Sequence, residues 1–106
     1  HIEARDEAGH EGDVELKTKT IGYLDSRVVK YLVQETEKMA ESVTIAVLPD
    51  HPTPCATKIH TRDAVPFIIY KPGETPDEVQ FYDEFEVKKG SYGLLYGKQF
   101  MEALLK

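Results

Sequence analysis

Apolar residues along the chain follow two different periods. From Asp13 to about Glu41 they recur at three- and four-residue steps, with Ile21, Leu24, Val28 and Leu32 on one stripe and Tyr31 and Met39 close to it. That is the spacing of an amphipathic helix. Asp13 stands where a side-chain oxygen can accept from the free N–H groups of the first turn, so it is the expected N-cap. Gly22 interrupts the pattern at a cost of about 1 kcal/mol relative to Ala. The stripe reads as core, and Glu35, Glu37 and Glu41 read as a solvated face. Beyond it the pattern changes to short runs rich in β-branched and aromatic residues. Ser42 to Leu48 and Val65 to Tyr70 read as buried strands. Pro66 has no N–H to give to a ladder, so the second strand should pair mainly after it. Val79 to Tyr82 and Phe85 to Val87 are candidate short strands, and Gly97 to Leu105 a terminal helix with Phe100, Met101, Leu104 and Leu105 as its apolar set.

Between these elements lie three polar stretches. His1 to Ala4 reads as a strand end, so the sequence predicts chain upstream of His1. Arg5 to Gly12 reads as a loop with two glycines. Pro49 to Asp63 is a long loop, a kind of segment that is usually functional or disordered. The order strand, helix, strand, strand, helix predicts an α/β fold.

Composition narrows the function. The 106 residues fit one domain or part of one. The net charge of −6 argues against a nucleic-acid partner, because phosphate backbones are gripped by clustered Lys and Arg. No apolar run approaches the roughly 18 residues of a membrane-spanning helix. A lone cysteine, Cys55, allows no internal disulfide, which suits a reducing compartment such as the cytoplasm. It reads as a packing residue among Pro, Thr and Ala rather than as a nucleophile.

The polar stretches hold the candidate chemistry. Asp6 and His10 lie four residues apart, Asp50 and His51 follow the strand that ends at Leu48, and His60 comes later in the same loop. Ligands of α/β sheets gather beyond the carboxyl ends of strands. Hard carboxylate oxygens mixed with imidazole nitrogens suit Zn, Mn or Fe, and suit Mg or Ca less well. Each residue alone is an ordinary solvated loop residue, and Arg5, Lys58 and Arg62 beside them read as solvent-facing charges that could also meet a phosphate.

The runs Glu3-Ala4-Arg5-Asp6-Glu7-Ala8-Gly9-His10-Glu11-Gly12-Asp13, Leu48-Pro49-Asp50-His51-Pro52-Thr53-Pro54 and His60-Thr61-Arg62-Asp63-Ala64-Val65-Pro66-Phe67 resemble, in order, three motifs of the archaeal-type 2,3-bisphosphoglycerate-independent phosphoglycerate mutases. Gly90 to Leu95 and Gly97 to Met101 resemble the family's C-terminal end. The resemblance implies an incomplete, alkaline-phosphatase-like sheet-and-helix fragment, the C-terminal segment of a two-metal enzyme. It implies Asp6, His10 and His60 on one ion and Asp50 and His51 on another, the ions being Mn or Zn, with Mg a further candidate. It implies a phosphoglycerate substrate and transfer through a phosphoserine. The serine would lie outside these residues, since Ser26, Ser42 and Ser91 do not match the nucleophile's setting, so the chain alone is expected to be inactive. Other superfamily reactions, such as that of the putative homoserine kinases or phosphonopyruvate decarboxylases, share the same ligands. A non-catalytic α/β binding module is the alternative from another class. A half-sheet with a bare edge and apolar face predicts self-association or marginal stability.

Overall fold

A computed structural model describes residue 2, residues 4–59 and residues 62–106, with backbone alone at positions 4 and 5. The chain forms two compact units, one of residues 1–39 with 50–64, the other of residues 40–49 with 65–106.

The first unit is helical. Helix α1 spans Ala4–Glu11 and helix α2 spans Val14–Leu24. The expected loop at positions 5–12 is therefore helical as far as Glu11, and Ala4 opens that helix rather than ending a strand. His1 and Glu3, the rest of that expected strand end, lie outside the described residues. The turn between the helices is dictated by two residues. Gly12 takes a left-handed φ of 72°, open to glycine because it has no Cβ to clash. Its N–H donates to Gly9 O at 3.0 Å and the Asp13 N–H donates to Ala8 O at 2.9 Å. That pair of bonds is a Schellman closure, which satisfies the last carbonyls of α1. Asp13 then caps α2 as expected, its Oδ1 accepting from Leu16 N at 2.8 Å.

Helix α2 runs into a π-helical turn, Asp25–Val29, and on into helix α3, Lys30–Glu37. One long helix was expected here, and its inward face keeps Leu24 and Val28 of the expected stripe but not Ile21 and Leu32. Ile21 and Leu32 are 47% and 44% exposed, and Tyr31 and Met39 are exposed as well. The half-buried positions are Lys17, Thr20, Leu24, Val28, Val29, Val33 and Thr36. A π turn holds one residue more than an α turn, so the face that meets the unit's interior moves one position along the sequence. Val33 occupies the place that regular helix geometry assigns to Leu32. Arg27 lies over the Tyr23 ring, 4.1 Å from its centre, on the outer side. Ala8 is the buried apolar residue of the described set and Thr53 the buried polar one.

The second unit holds strand β1, Ile45–Val47, paired antiparallel with β2, Ile68–Tyr70. The β2 ladder starts after Pro66, as a residue without an N–H requires. Helix α4, Gly97–Leu105, has the expected bounds. Gln99 Oε1 accepts from Tyr96 N at its start, and Lys71 Nζ donates to Ala103 O at its end. A cation on the last carbonyls offsets the negative end of the helix. The Phe67 ring packs edge-on against Phe100, with ring centres 5.2 Å apart, and also meets Tyr92. The two further strands expected at 79–82 and 85–87 are not strands. Asp83 Oδ1 accepts from both Phe85 N and Glu86 N, which draws the backbone into a 3₁₀ turn, Glu86–Lys89. Tyr82 turns its hydroxyl to Pro66 O at 2.9 Å.

Candidate metal centre

Helix α1 decides where Asp6 and His10 point. Residues four apart on a helix share a face, and His10 Nε2 lies 3.3 Å from Asp6 Oδ2. The sequence pair was expected to meet across a loop. It meets along a helix instead, with the same outcome.

The loop after β1 brings the second pair. The Asp50 carboxylate accepts from its neighbour's backbone, His51 N to Oδ1 at 3.0 Å, and Asp50 Oδ2 is 3.4 Å from His51 Nε2. The same Nε2 is 4.0 Å from Asp6 Oδ1. Asp6, His10, Asp50 and His51, from two stretches of sequence, are therefore linked by a chain of pairwise contacts. His60, the fifth expected ligand, lies outside the described residues. Among the described residues no three His, Cys, Asp or Glu side chains are grouped to hold an ion; the arrangement is two carboxylate–imidazole pairs. The site is open, with the His51 side chain 25% exposed and Asp50 60%.

Sequence reasoning missed Thr53, which is only 4% exposed. Its Oγ1 donates to Asp6 Oδ1 at 2.6 Å and lies 3.2 Å from His51 Nδ1. Lys17 Nζ donates to the Thr53 carbonyl at 2.6 Å. Helix α1 can come this close because position 9 is glycine: a Cβ there would stand 2.5 Å from Thr53 O. The one sequence signal was Thr53's place between Pro52 and Pro54, two residues past His51. Lys58 also acts through its backbone. Its left-handed φ of 58°, disfavoured for a residue with a Cβ, aims its carbonyl at His10 Nδ1, 2.7 Å away. Cys55 is half-buried and free, and Arg62 is exposed.

These partners fix the imidazole tautomers. A carbonyl only accepts, so His10 Nδ1 carries the proton facing Lys58 O. The one Thr53 hydroxyl proton goes to Asp6, so His51 Nδ1 is the donor both to that hydroxyl and to Pro52 O at 3.3 Å. In each ring Nε2 then faces carboxylate oxygen, at 3.3 and 3.4 Å. Nδ1 held by a carbonyl or hydroxyl with Nε2 turned to the centre is also how ligand histidines are oriented in metal sites. The donor set fits divalent metal ions.

A helix and the loop after a strand bring two carboxylate–imidazole pairs together, donors of the kind that metal-dependent enzymes use. The chain belongs to the Metalloenzyme superfamily, which it matches along residues 1–106. It is 49% identical over its whole length to the 2,3-bisphosphoglycerate-independent phosphoglycerate mutase of Methanosarcina acetivorans, of which it covers 27%. It is 41% identical to the enzyme of that name from Methanothrix thermoacetophila, again over 27% of that protein. The solved structure of the PH0037 protein from Pyrococcus horikoshii superposes with a TM-score of 0.83 at 32% identity, covering 95% of this chain and 30% of that one. The chain thus spans about a quarter of the length of these relatives. No helix among the described residues is long and apolar enough to cross a membrane.

Proposed function

We propose that residues 1–106 are the metal-binding C-terminal segment of a 2,3-bisphosphoglycerate-independent phosphoglycerate mutase, which interconverts 3-phosphoglycerate and 2-phosphoglycerate in the cytoplasm through a phosphoserine. The observation that carries this is the linkage of Asp6, His10, Asp50 and His51 in a chain 49% identical to a mutase of that name. Asp6 and His10, with His60, hold one divalent ion; Asp50 and His51 contribute to a second, with ligands from residues outside these 106. Mn and Zn suit this mixed oxygen and nitrogen set, and Mg suits it less well.

When bound, two such ions lower the pKa of an attacking hydroxyl and neutralise charge building on a transferring phosphoryl group. The chain's own residues prepare for that. Asp6 and Asp50 supply two negative charges that draw cations to the spot. The Lys58 carbonyl and the Thr53 hydroxyl hold the imidazole rings by Nδ1, so that Nε2 needs no rotation to bind. The exposed rim at Asp50 leaves an approach for a phosphorylated substrate. The serine nucleophile and the groups that grip the glycerate come from residues outside these 106, so the segment alone has no mutase activity.

The test is conversion of 3-phosphoglycerate by the full-length protein that carries this segment, stripped of metal and reloaded with Mn²⁺. The parent protein is expected to turn over, and Asp6→Asn and His10→Gln to lose activity by at least ~100-fold, the scale on which one electrostatic stabiliser counts. Turnover unchanged in both variants, or absent from the loaded parent, would refute the proposal.

A further inference from the structure

We infer that Thr53 is a positioning residue that ties the two ion sites together, so that the ligands of one cannot be set without those of the other. The inference rests on the two-metal reading above and adds a residue which that reading does not need.

Thr53 has three attachments, and each has a structural cause. Its hydroxyl donates to Asp6 Oδ1 at 2.6 Å. With its single proton spent there, the same oxygen can only accept from His51 Nδ1, 3.2 Å away. Its carbonyl accepts from Lys17 Nζ at 2.6 Å. At 4% exposure the residue itself is withdrawn from water. The polar contacts therefore form a directed chain, from His51 Nδ1–H to the Thr53 oxygen to Asp6. Asp6 belongs to the ion shared with His10, and His51 to the ion shared with Asp50. A single hydroxyl fixes the carboxylate rotamer on one side and the imidazole tautomer on the other.

Lys17 and Gly9 hold this hub in place. Lys17 reaches it from the half-buried face of α2, and the missing side chain at Gly9 gives the Thr53 carbonyl its room against α1. The Thr53 Cγ2 methyl would stand 3.1 Å from a Cβ at position 9, so the methyl packs on helix α1 while the hydroxyl turns to the ligands. A valine keeps that packing and loses both bonds. A serine keeps both bonds and loses the methyl.

The experiment compares parent, Thr53→Val and Thr53→Ser in the full-length protein, titrating metal-free samples with Mn²⁺ by calorimetry and counting bound Mn²⁺ by electron paramagnetic resonance. Metal-free melting temperatures check that each variant is folded. Loss of a residue that orients a ligand typically weakens metal about 10- to 100-fold. Thr53→Val is expected to show that loss at both ions, and Thr53→Ser to bind within a few-fold of the parent. Parent-like binding by Thr53→Val overturns the inference and leaves the two-metal reading standing. Loss at one ion alone overturns the link between sites. A Thr53→Ser as weak as Thr53→Val assigns the effect to the methyl and overturns it too. A parent that binds no Mn²⁺ removes the two-metal reading and this inference with it. Should Thr53→Val fail to fold, Thr53→Ala removes the hydroxyl with a smaller side chain and is read in the same way.

Discussion

Gly9→Ala tests whether the approach of helix α1 to Thr53 matters for both stability and the site. A Cβ at position 9 would stand 2.5 Å from Thr53 O, 3.1 Å from Thr53 Cγ2 and 3.2 Å from Lys17 Nζ. Ordinary contact begins at 3.4 Å, so the carbonyl must retreat by several tenths of an ångström. The obstacle is backbone, which cannot swing aside as a lysine tip can. Overpacking of this kind costs about 1–3 kcal/mol, and the retreat also strains the bond that Lys17 makes to the same carbonyl. Against it stands the better helix propensity of alanine, about 1 kcal/mol. Because the obstacle is backbone, the steric cost wins, for a net loss of up to about 2 kcal/mol. Gly22→Ala is the matched control. It is also in a helix, but nothing lies within 4 Å of its Cβ, so the propensity gain of up to about 1 kcal/mol stands alone. Urea denaturation of the metal-free full-length protein compares the two. Thr53 moves with its carbonyl, so Gly9→Ala also weakens Mn²⁺ by about tenfold, the low end for a lost ligand support, while Gly22→Ala leaves it unchanged. If both alanines stabilise alike and bind Mn²⁺ alike, the close approach has no energetic weight and the reasoning fails.

Two further predictions follow from single contacts. Asp13→Ala removes the cap on Leu16 N and should cost about 1 kcal/mol in denaturant titrations; an unchanged midpoint would show that water replaces the cap without loss. Asp77 accepts from Ser91 N at 3.1 Å and from Val79 N at 3.0 Å. The Ser91 N–H first and the Val79 N–H second hold its carboxyl below the usual 3.8. A depressed folded-state value favours the folded protein above the unfolded value and loses that contribution as pH falls through the folded value. Stability below about pH 3.8 should therefore decline less steeply in Asp77→Asn than in the parent, as read by acid-dependent melting; identical slopes would refute it.

The parts that could be read from the sequence were those with a local cause. Asp13 caps because a short acceptor stands next to a helical run, and β2 starts after Pro66 because proline has no N–H. Helix α4 starts and stops where its apolar spacing does. Asp6 and His10 could be paired by spacing, and their helix could not: Gly9 and Gly12 look like loop residues. Gly12 in fact closes the helix, and Gly9 sits within it because a carbonyl from residue 53 approaches. That second cause lies 44 residues away in the chain and leaves no local mark. The same holds for the Lys58 carbonyl on His10 and for Thr53 itself. The strands expected at 79–82 and 85–87 had a strand-like composition, but Asp77 takes up the Val79 N–H and Asp83 the Phe85 and Glu86 N–H groups that a ladder would need. The helix stripe was misread because period counting presumes regular turns throughout.

The π turn at Asp25–Val29 absorbs one residue more than a regular turn. Removing one residue from it, Ser26 for instance, would let α2 and α3 join as one regular helix with Lys17 and Val33 still on the same side. Drawing all five residues into regular turns without a deletion would instead rotate the distal part by about 100°. Leu32 would then take the place Val33 holds now. The wide turn thus acts as a phase corrector, and a single-codon deletion within it is a shortening that leaves the inward face intact.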